Sequence, residues 1–241
     1  MTTDTPDSRP RIFAATVLEA CAARCELRGV TVTRTGVGIR RPPNPVNGSM
    51  ALLCGLAGGL KADLAPGTVV VPEEVGLTDG TRIRCHREWV EALAAAASEL
   101  GHSPETGQLL TAPSLVTGDA RAFWAQRGYV AADMETGLLA MRGWQVATVR
   151  LILDTPVRSI ARDWERPMRA IFRPRLWGEL LWLAHSAPRY SWVAARIVRR
   201  ALELSSGPGR TDSATWQQPH RLGQRRPPSP PSPFRSYRQL D

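Results

Sequence analysis

Short apolar segments rich in β-branched residues recur through the first 154 residues, separated by segments of helical character. Spacing and composition predict strands over 11–17, 30–35, 50–54, 68–72, 107–112, 129–134 and 145–153, the last closing at Asp154. They predict helices over 18–27, 86–100, 118–127 and 135–142. Several of the strands are apolar throughout rather than alternating, as in a sheet covered on both faces. The alternation of the two element types then implies an α/β domain. Functional groups in such domains gather where strands end and loops begin. Asp154, Glu135 and two glycine turns, at 36–38 and 55–59, stand at such ends.

The character of the chain changes after Asp154. Short helices rich in Arg and Trp are predicted over 165–172, 176–185 and 192–204. Residues 205–241, which include Pro227-Pro228-Ser229-Pro230-Pro231, have the composition of a disordered Pro/Arg-rich tail. Residues 1–10 read as a flexible leader without the apolar stretch of a secretory signal. The folded domain is therefore expected over 11–204. No run approaches the roughly 18 apolar residues of a spanning helix.

Charge is distributed unevenly. The net +9 resolves into −1 over residues 1–157 and +10 over 158–241. A core that gripped nucleic acid would itself be basic, so nucleic acid is not expected as a partner. Cys21, Cys25, Cys54 and Cys85 form no Cys-x-x-Cys pair and no zinc spacing. They read as the reduced thiols of a cytoplasmic protein, and neither a metal nor a cofactor is called for.

Three pieces carry chemistry. In Val149-Arg150-Leu151-Ile152-Leu153-Asp154-Thr155-Pro156 a carboxylate closes an apolar strand, where burial favours its protonated form. The bland alternative for Asp154 is a helix N-cap. In Ala132-Asp133-Met134-Glu135-Thr136-Gly137 a carboxylate opens a helix directly after a strand. The glycine turns at 36–38 and 55–59 let backbone amides approach a sugar or an anion.

Together these pieces resemble the nucleoside phosphorylase and nucleosidase superfamily, which includes purine nucleoside phosphorylase and methylthioadenosine/S-adenosylhomocysteine nucleosidase. The resemblance rests on TGVG, CGLAGGLKADLAPGTVVVPEEV, AADMETGLLA and VATVRLILDTP, in that order along the chain. The nearest branch looks like the hopanoid-associated phosphorylases, implicated in removing adenine from adenosylhopane. The resemblance implies a three-layer α/β/α sandwich around a central mixed sheet, phosphorylase/hydrolase-like, with extra C-terminal helices. It also implies a homo-oligomer that cleaves the N-glycosidic bond of a purine nucleoside, by phosphorolysis or by hydrolysis.

The family's roles carry over residue by residue. Asp154 matches the acid that protonates the leaving purine. Glu135 matches the acceptor of the ribose 2′- and 3′-hydroxyls, with Met134 packed against the sugar. Glu19 falls where nucleosidases carry the carboxylate that activates water, in a weaker match; the alternative is an ordinary exposed helix residue. Leu56, Ala57 and Gly58 match the turn facing ribose and base, Leu115 and Val116 a segment touching the base, and Arg150 an arginine at the pocket edge. For the apolar members, plain core packing is the competing reading.

Departures accompany the match. Leu153 stands where nucleosidases often place a hydroxyl side chain. Arg40 and Arg41 follow TGVG where relatives continue into a small-residue helix. With Gly36 and Gly38, Arg40 makes a candidate phosphate site; surface charge is the alternative. The C-terminal Trp164, Trp177, Trp182 and Trp192, interleaved with arginines, suit either peripheral membrane contact or core filling under amphipathic helices. Two rival functions follow from these departures: a non-catalytic nucleoside-binding protein on the same fold, and a membrane-surface adaptor with a vestigial pocket.

Overall fold

The structure, a computed structural model, describes residues 10–39, 45, 49–158 and 177–206. Arg40, Arg41, Trp164, the helix expected over 165–172 and the tail from 207 onward lie outside the described residues. The elements run β1 (Arg11–Ala14), α1 (Val17–Glu26), β2 (Val32–Arg34), β3 (Met50–Gly59), β4 (Val69–Val70), β5 (Glu74–Leu77), β6 (Arg82–Arg84), α2 (Arg87–Glu99), β7 (Gln108–Thr111), α3 (Asp119–Ala125), β8 (Tyr129–Asp133), α4 (Thr136–Met141), β9 (Gln145–Asp154) and α5 (Trp177–Ser205).

Strand β3 is the axis of a mixed sheet. It runs parallel to β1, with Ile12 opposite Leu52, and β1 in turn pairs in parallel with β2. Along its length it runs parallel to β9, from Met50 opposite Gln145 to Gly58 opposite Asp154. At its end it meets β8 antiparallel, with Gly58 opposite Ala132 and Gly59 opposite Ala131. The sheet continues through β7 and β5 to β6, while β4 pairs with β9. The expected α/β class with helices flanking a mixed sheet is the architecture seen.

Residues 55–59, expected to form a turn, instead complete β3. Their glycines serve close packing rather than a reversal of the chain. A Cβ on Gly59 would stand 3.0 Å from Ile152 Cγ2, and one on Gly58 would stand 3.1 Å from Asp154 Oδ1. The β5–β6 hairpin was not anticipated either. Its signal is Asp79-Gly80, where Asp79 Oδ1 accepts the Thr81 N–H at 2.9 Å and Gly80 takes φ +90°.

Helix α5 replaces the two helices expected over 176–185 and 192–204, and continues through Pro188. An internal proline removes a helical N–H and normally breaks a helix. Here packing against α1, α2, β3 and β9 holds the element together. Ala194, Ala195, Ile197, Val198 and Ala201 supply its buried face. Of the four tryptophans, the side chains of Trp182 and Trp192 are described, and neither fills the core as one reading expected. Trp182 lies under the Arg158 guanidinium at 4.3 Å, and the half-exposed Trp192 donates Nε1–H to Glu26 at 2.5 Å. Arg199 bonds to Glu26 and Glu203, and Arg200 to Glu99 and Glu203. No helix among the described residues is long and apolar enough to cross a membrane.

This division of α5 into a packed face and an open face is testable. Ile197→Ala is expected to lower unfolding free energy by about 2–4 kcal/mol, since the fully buried side chain leaves a cavity. Leu181→Ala, at a site 73% exposed, is expected to stay within about 0.5 kcal/mol. Denaturant midpoints at unchanged slope measure both.

Candidate active site

Arg150, near the middle of β9, is fully buried in the sheet. Its Nη2 donates to Asp133 Oδ2 at 2.7 Å and to Thr136 Oγ1 at 3.0 Å, and lies 3.6 Å from Glu135 Oε2. Burial works against the cation, but Asp133, Glu135 and Glu19 outweigh it and hold the guanidinium further above its ordinary range. Asp133 is heavily bonded. It accepts from Thr111 Oγ1 at 2.6 Å, from the Thr136 N–H at 3.1 Å and from the Thr136 hydroxyl. Asp133 thus anchors both Arg150 and the start of α4.

Glu135 is buried but more sparingly bonded. Gly38 N–H donates to its Oε1 at 3.2 Å, and Met134 N–H reaches Oε2 at 3.4 Å. Burial pushes its carboxyl up to about 7; Arg150 opposes that, Asp133 adds to it, the Gly38 amide opposes it and Glu19 adds to it. One cation faces three carboxylates, and a proton on Glu135 relieves the imbalance. Met134 is half-buried beside it.

Glu19 is not the exposed helix residue of the alternative reading. It is 3% exposed and forms a capping box with Thr16 at the start of α1. Its Oε2 accepts from Thr16 N–H at 2.7 Å and from the Thr16 hydroxyl at 2.8 Å. Its Oε1 accepts the Leu56 N–H at 2.8 Å. Gly55 is what lets Glu19 lie against β3. A Cβ there would collide with the Glu19 carboxylate and come within 2.9 Å of Arg150 Nη1. Neighbouring Cys54 is buried, and burial, then Glu19, push its thiol up to about 12.

A second group lies further along β3. The register with β9 slips between Ala57 and Gly58, so that Ile152 faces Ala57 and Asp154 faces Gly58. Bulges re-aim side chains, and this one sets Asp154 against the bare Gly58 backbone. Its carboxylate pairs with Arg121. Arg121 is also buried; its Nε donates to Val116 O at 2.9 Å and its Nη1 to Gly59 O at 3.1 Å. Sequence reasoning passed over Arg121, Asp133, Thr111 and Thr136. A lone arginine inside the apolar stretch Ala120-Arg121-Ala122-Phe123 was the available signal for the first.

The remaining candidates fall around these two groups. Leu56 and Ala57 lie on β3 between them, Ala57 buried and Leu56 half-buried. Leu115 and Val116 precede α3; Leu115 is 37% exposed, and Val116 contributes its carbonyl to Arg121. Of the expected phosphate site, Gly38 spends its amide on Glu135, and Gly36 O closes a tight turn to Ile39 N–H. That turn is strained, since Ile39 is β-branched at φ +45°. A cavity of about 450 Å³ opens beside it, lined by Ala15, Thr16, Val17, Arg34, Thr35, Gly36 and Val37.

With this geometry in hand, the profile of the Phosphorylase superfamily matches residues 50–167, which contain both groups except Glu19 and the 36–38 turn. Over those residues the chain is similar to the phosphorylase superfamily. Solved structures agree on the fold. A Helicobacter pylori methylthioadenosine nucleosidase variant with 5′-methylthioadenosine in its active site superposes with TM-score 0.61 at 13% identity, covering 81% of this chain and 98% of that one. A nucleosidase from Borrelia burgdorferi bound to adenine gives TM-score 0.63 at 13% identity, covering 81% and 100%. The futalosine hydrolase of Helicobacter pylori gives 0.59 at 13% identity, covering 80% and 96%. At these identities the likeness is one of fold. No curated protein matches by sequence.

The Glu135 environment dictates a pH response. A carboxyl raised from 4.5 to about 7 stabilises the fold fully below pH 4.5, and that contribution is lost as pH rises through about 7. Glu135→Gln cannot ionise and is expected to lack this decline in urea titrations between pH 4.5 and 8. Gly55→Ala is expected to displace the Glu19 carboxylate and lower unfolding free energy by about 1–3 kcal/mol, read from denaturant midpoints.

Proposed function

We propose that this protein cleaves the N-glycosidic bond of a purine nucleoside, adenine being the favoured base. One observation carries the reading. Two buried acidic centres adjoin the same pair of strands, β3 and β9: Glu19, Asp133 and Glu135 around Arg150, and Asp154 at the end of β9.

Heterolysis of the bond leaves cationic character on the sugar and an electron pair on the base. Glu135 has the capacity to accept two sugar hydroxyls at once and adds negative charge beside the developing cation. Glu19, oriented by Leu56 and Thr16, is the group to orient a water and take its proton. Asp154 meets the base. Arg150 positions Glu135 and Asp133 without reaching substrate.

The finer form of the proposal concerns the 5′ end. The cavity lined by residues 34–37 ends one residue before Gly38, whose amide bonds Glu135, and the exposed Val17 and Val37 are part of its wall. Its volume of about 450 Å³ is that of a small-molecule site. A nucleoside with a bulky apolar 5′ substituent, of which adenosylhopane is an example, suits those walls.

The test is release of free adenine from adenosine, methylthioadenosine and a lipid-tailed adenosyl compound, each with and without inorganic phosphate. Release is expected; dependence on phosphate marks phosphorolysis and independence marks hydrolysis. Asp154→Asn is expected to lose 10²-fold or more in kcat, on the order of one removed transition-state partner, while still binding the nucleoside. In the unmodified protein kcat/KM is expected to rise with pH to a plateau above about 7, because only ionised Glu135 accepts both hydroxyls. Absence of base release from every nucleoside, with nucleoside binding intact, would establish a binding protein instead.

A further inference from the structure

The base end of the site contains a charge that the resemblance does not provide for. Arg121 and Asp154 form a buried ion pair, their side chains 4% and 10% exposed. Arg121 is no loose surface cation. Val116 O and Gly59 O, from the loop before α3 and from the end of β3, hold its Nε and Nη1. A guanidinium has five N–H groups. Three are engaged by Val116, Gly59 and Asp154, which leaves one on each terminal nitrogen without a partner among the described residues.

This bears directly on who donates to the leaving base. A carboxylic acid that protonates a purine must first be neutral, and a neutral Asp154 would surrender its charge-assisted bond to Arg121. The guanidinium cannot be deprotonated in a protein, so it donates at every working pH without first acquiring a proton. Beside it, the Asp154 carboxylate accepts. A donor next to an acceptor is complementary to the edge of adenine, where N7 accepts and the 6-amino group donates.

We propose that Arg121 is a catalytic residue of this enzyme: its guanidinium donates a hydrogen bond to N7 of the departing purine while Asp154 accepts from the 6-amino group. The inference rests on the N-glycosidic cleavage proposed above. In the step, the C1′–N9 bond breaks and its electron pair goes to the purine. An oxygen of water or phosphate forms the new bond to C1′. The purine leaves as an anion stabilised by Arg121, and the proton lost by the nucleophile reaches it afterwards through solvent. No proton crosses from the protein in the bond-breaking step. A 6-oxopurine fits poorly, because its O6 lone pairs would face the Asp154 carboxylate.

The experiment compares Arg121→Gln and Arg121→Lys with the unmodified chain on two substrates. One is the purine nucleoside that the protein cleaves. The other is a nitrophenyl riboside, whose leaving group is stable as an anion and needs no donor. Arg121→Gln is expected to lower kcat on the purine nucleoside 10²- to 10³-fold with KM changed less than fivefold, and to lower kcat on the nitrophenyl riboside less than fivefold. Arg121→Lys keeps the charge but not the fork. It is expected to fold with a lowered but still cooperative thermal transition and to show the same split between substrates at smaller amplitude, which keeps the test decisive where the Gln variant is unstable. The unmodified protein is expected to hold a constant kcat from pH 7 to 9.

Equal losses on the two substrates would reduce Arg121 to a structural prop, and unchanged kcat on the purine nucleoside would remove it from the reaction. A tenfold fall in kcat per pH unit above 7 would return the donor role to a carboxylic acid. An unmodified protein inert toward both substrate types would instead overturn the proposed cleavage itself, and this inference with it.

Discussion

The buried guanidinium of Arg150 is the interaction on which the rest of this site depends. Taking a cation out of water costs several kcal/mol unless partners surround it. Asp133 supplies the direct pair, Glu135 a second carboxylate at 3.6 Å, and Glu19 a third through the field. These three residues come from the end of β8, the start of α4 and the first turn of α1. Arg150 therefore fixes the mutual placement of three elements distant in sequence. Loss of Asp133 would remove the closest ion pair of the buried cation, at 2.7 Å. The surplus of negative charge is equally a consequence, and it settles on Glu135, the most sparingly bonded member.

Strand β3 makes such crowding possible by withholding side chains. Its glycines are mostly not there to adopt unusual dihedrals; they sit within an extended strand. What they provide is room for Glu19 against Gly55, Asp154 against Gly58 and Ile152 against Gly59. The register slip opposite Gly58 belongs to the same device. Leu153 is the residue passed over, which turns Asp154 toward β3. The hydroxyl side chain that relatives often carry at that position is thus replaced by one whose place is set by the bulge.

Much of this could be read from the residues alone. The short, β-branched apolar runs before Asp133 and Asp154 lack alternation, as strands covered on both faces do, and most elements lie within a few residues of their expected bounds. The failures have physical causes. Glycine at 55–59 signals either a turn or a tight approach, and only the partners Glu19 and Asp154, remote in sequence, decide between them. Pro188 signals a helix end, yet the packed face of Ala194, Ala195, Ile197, Val198 and Ala201 overrides that local preference. Arg121 and Asp133 looked like ordinary charges because their burial depends on contacts across the sheet, 33 residues away for Arg121 and 17 for Asp133.

The two buried arginines give the site a direction. At Gly55 the surroundings of Arg150 are dominated by carboxylates, three to one, whereas at Gly58 a guanidinium balances Asp154 and has two N–H groups without a partner among the described residues. In the proposed cleavage the sugar lies toward the carboxylates and the base toward the fixed donors. Heterolysis of a C–N bond develops cationic character at the carbon and anionic character at the nitrogen. Preorganised charges of matching sign stabilise that separation without rearranging at the moment of reaction. The direction is not interchangeable, because a nucleoside bound in reverse would place its electron-rich base among carboxylates. In the proposed reaction, the same burial that makes these charges costly to assemble also selects the orientation in which the glycosidic bond is presented.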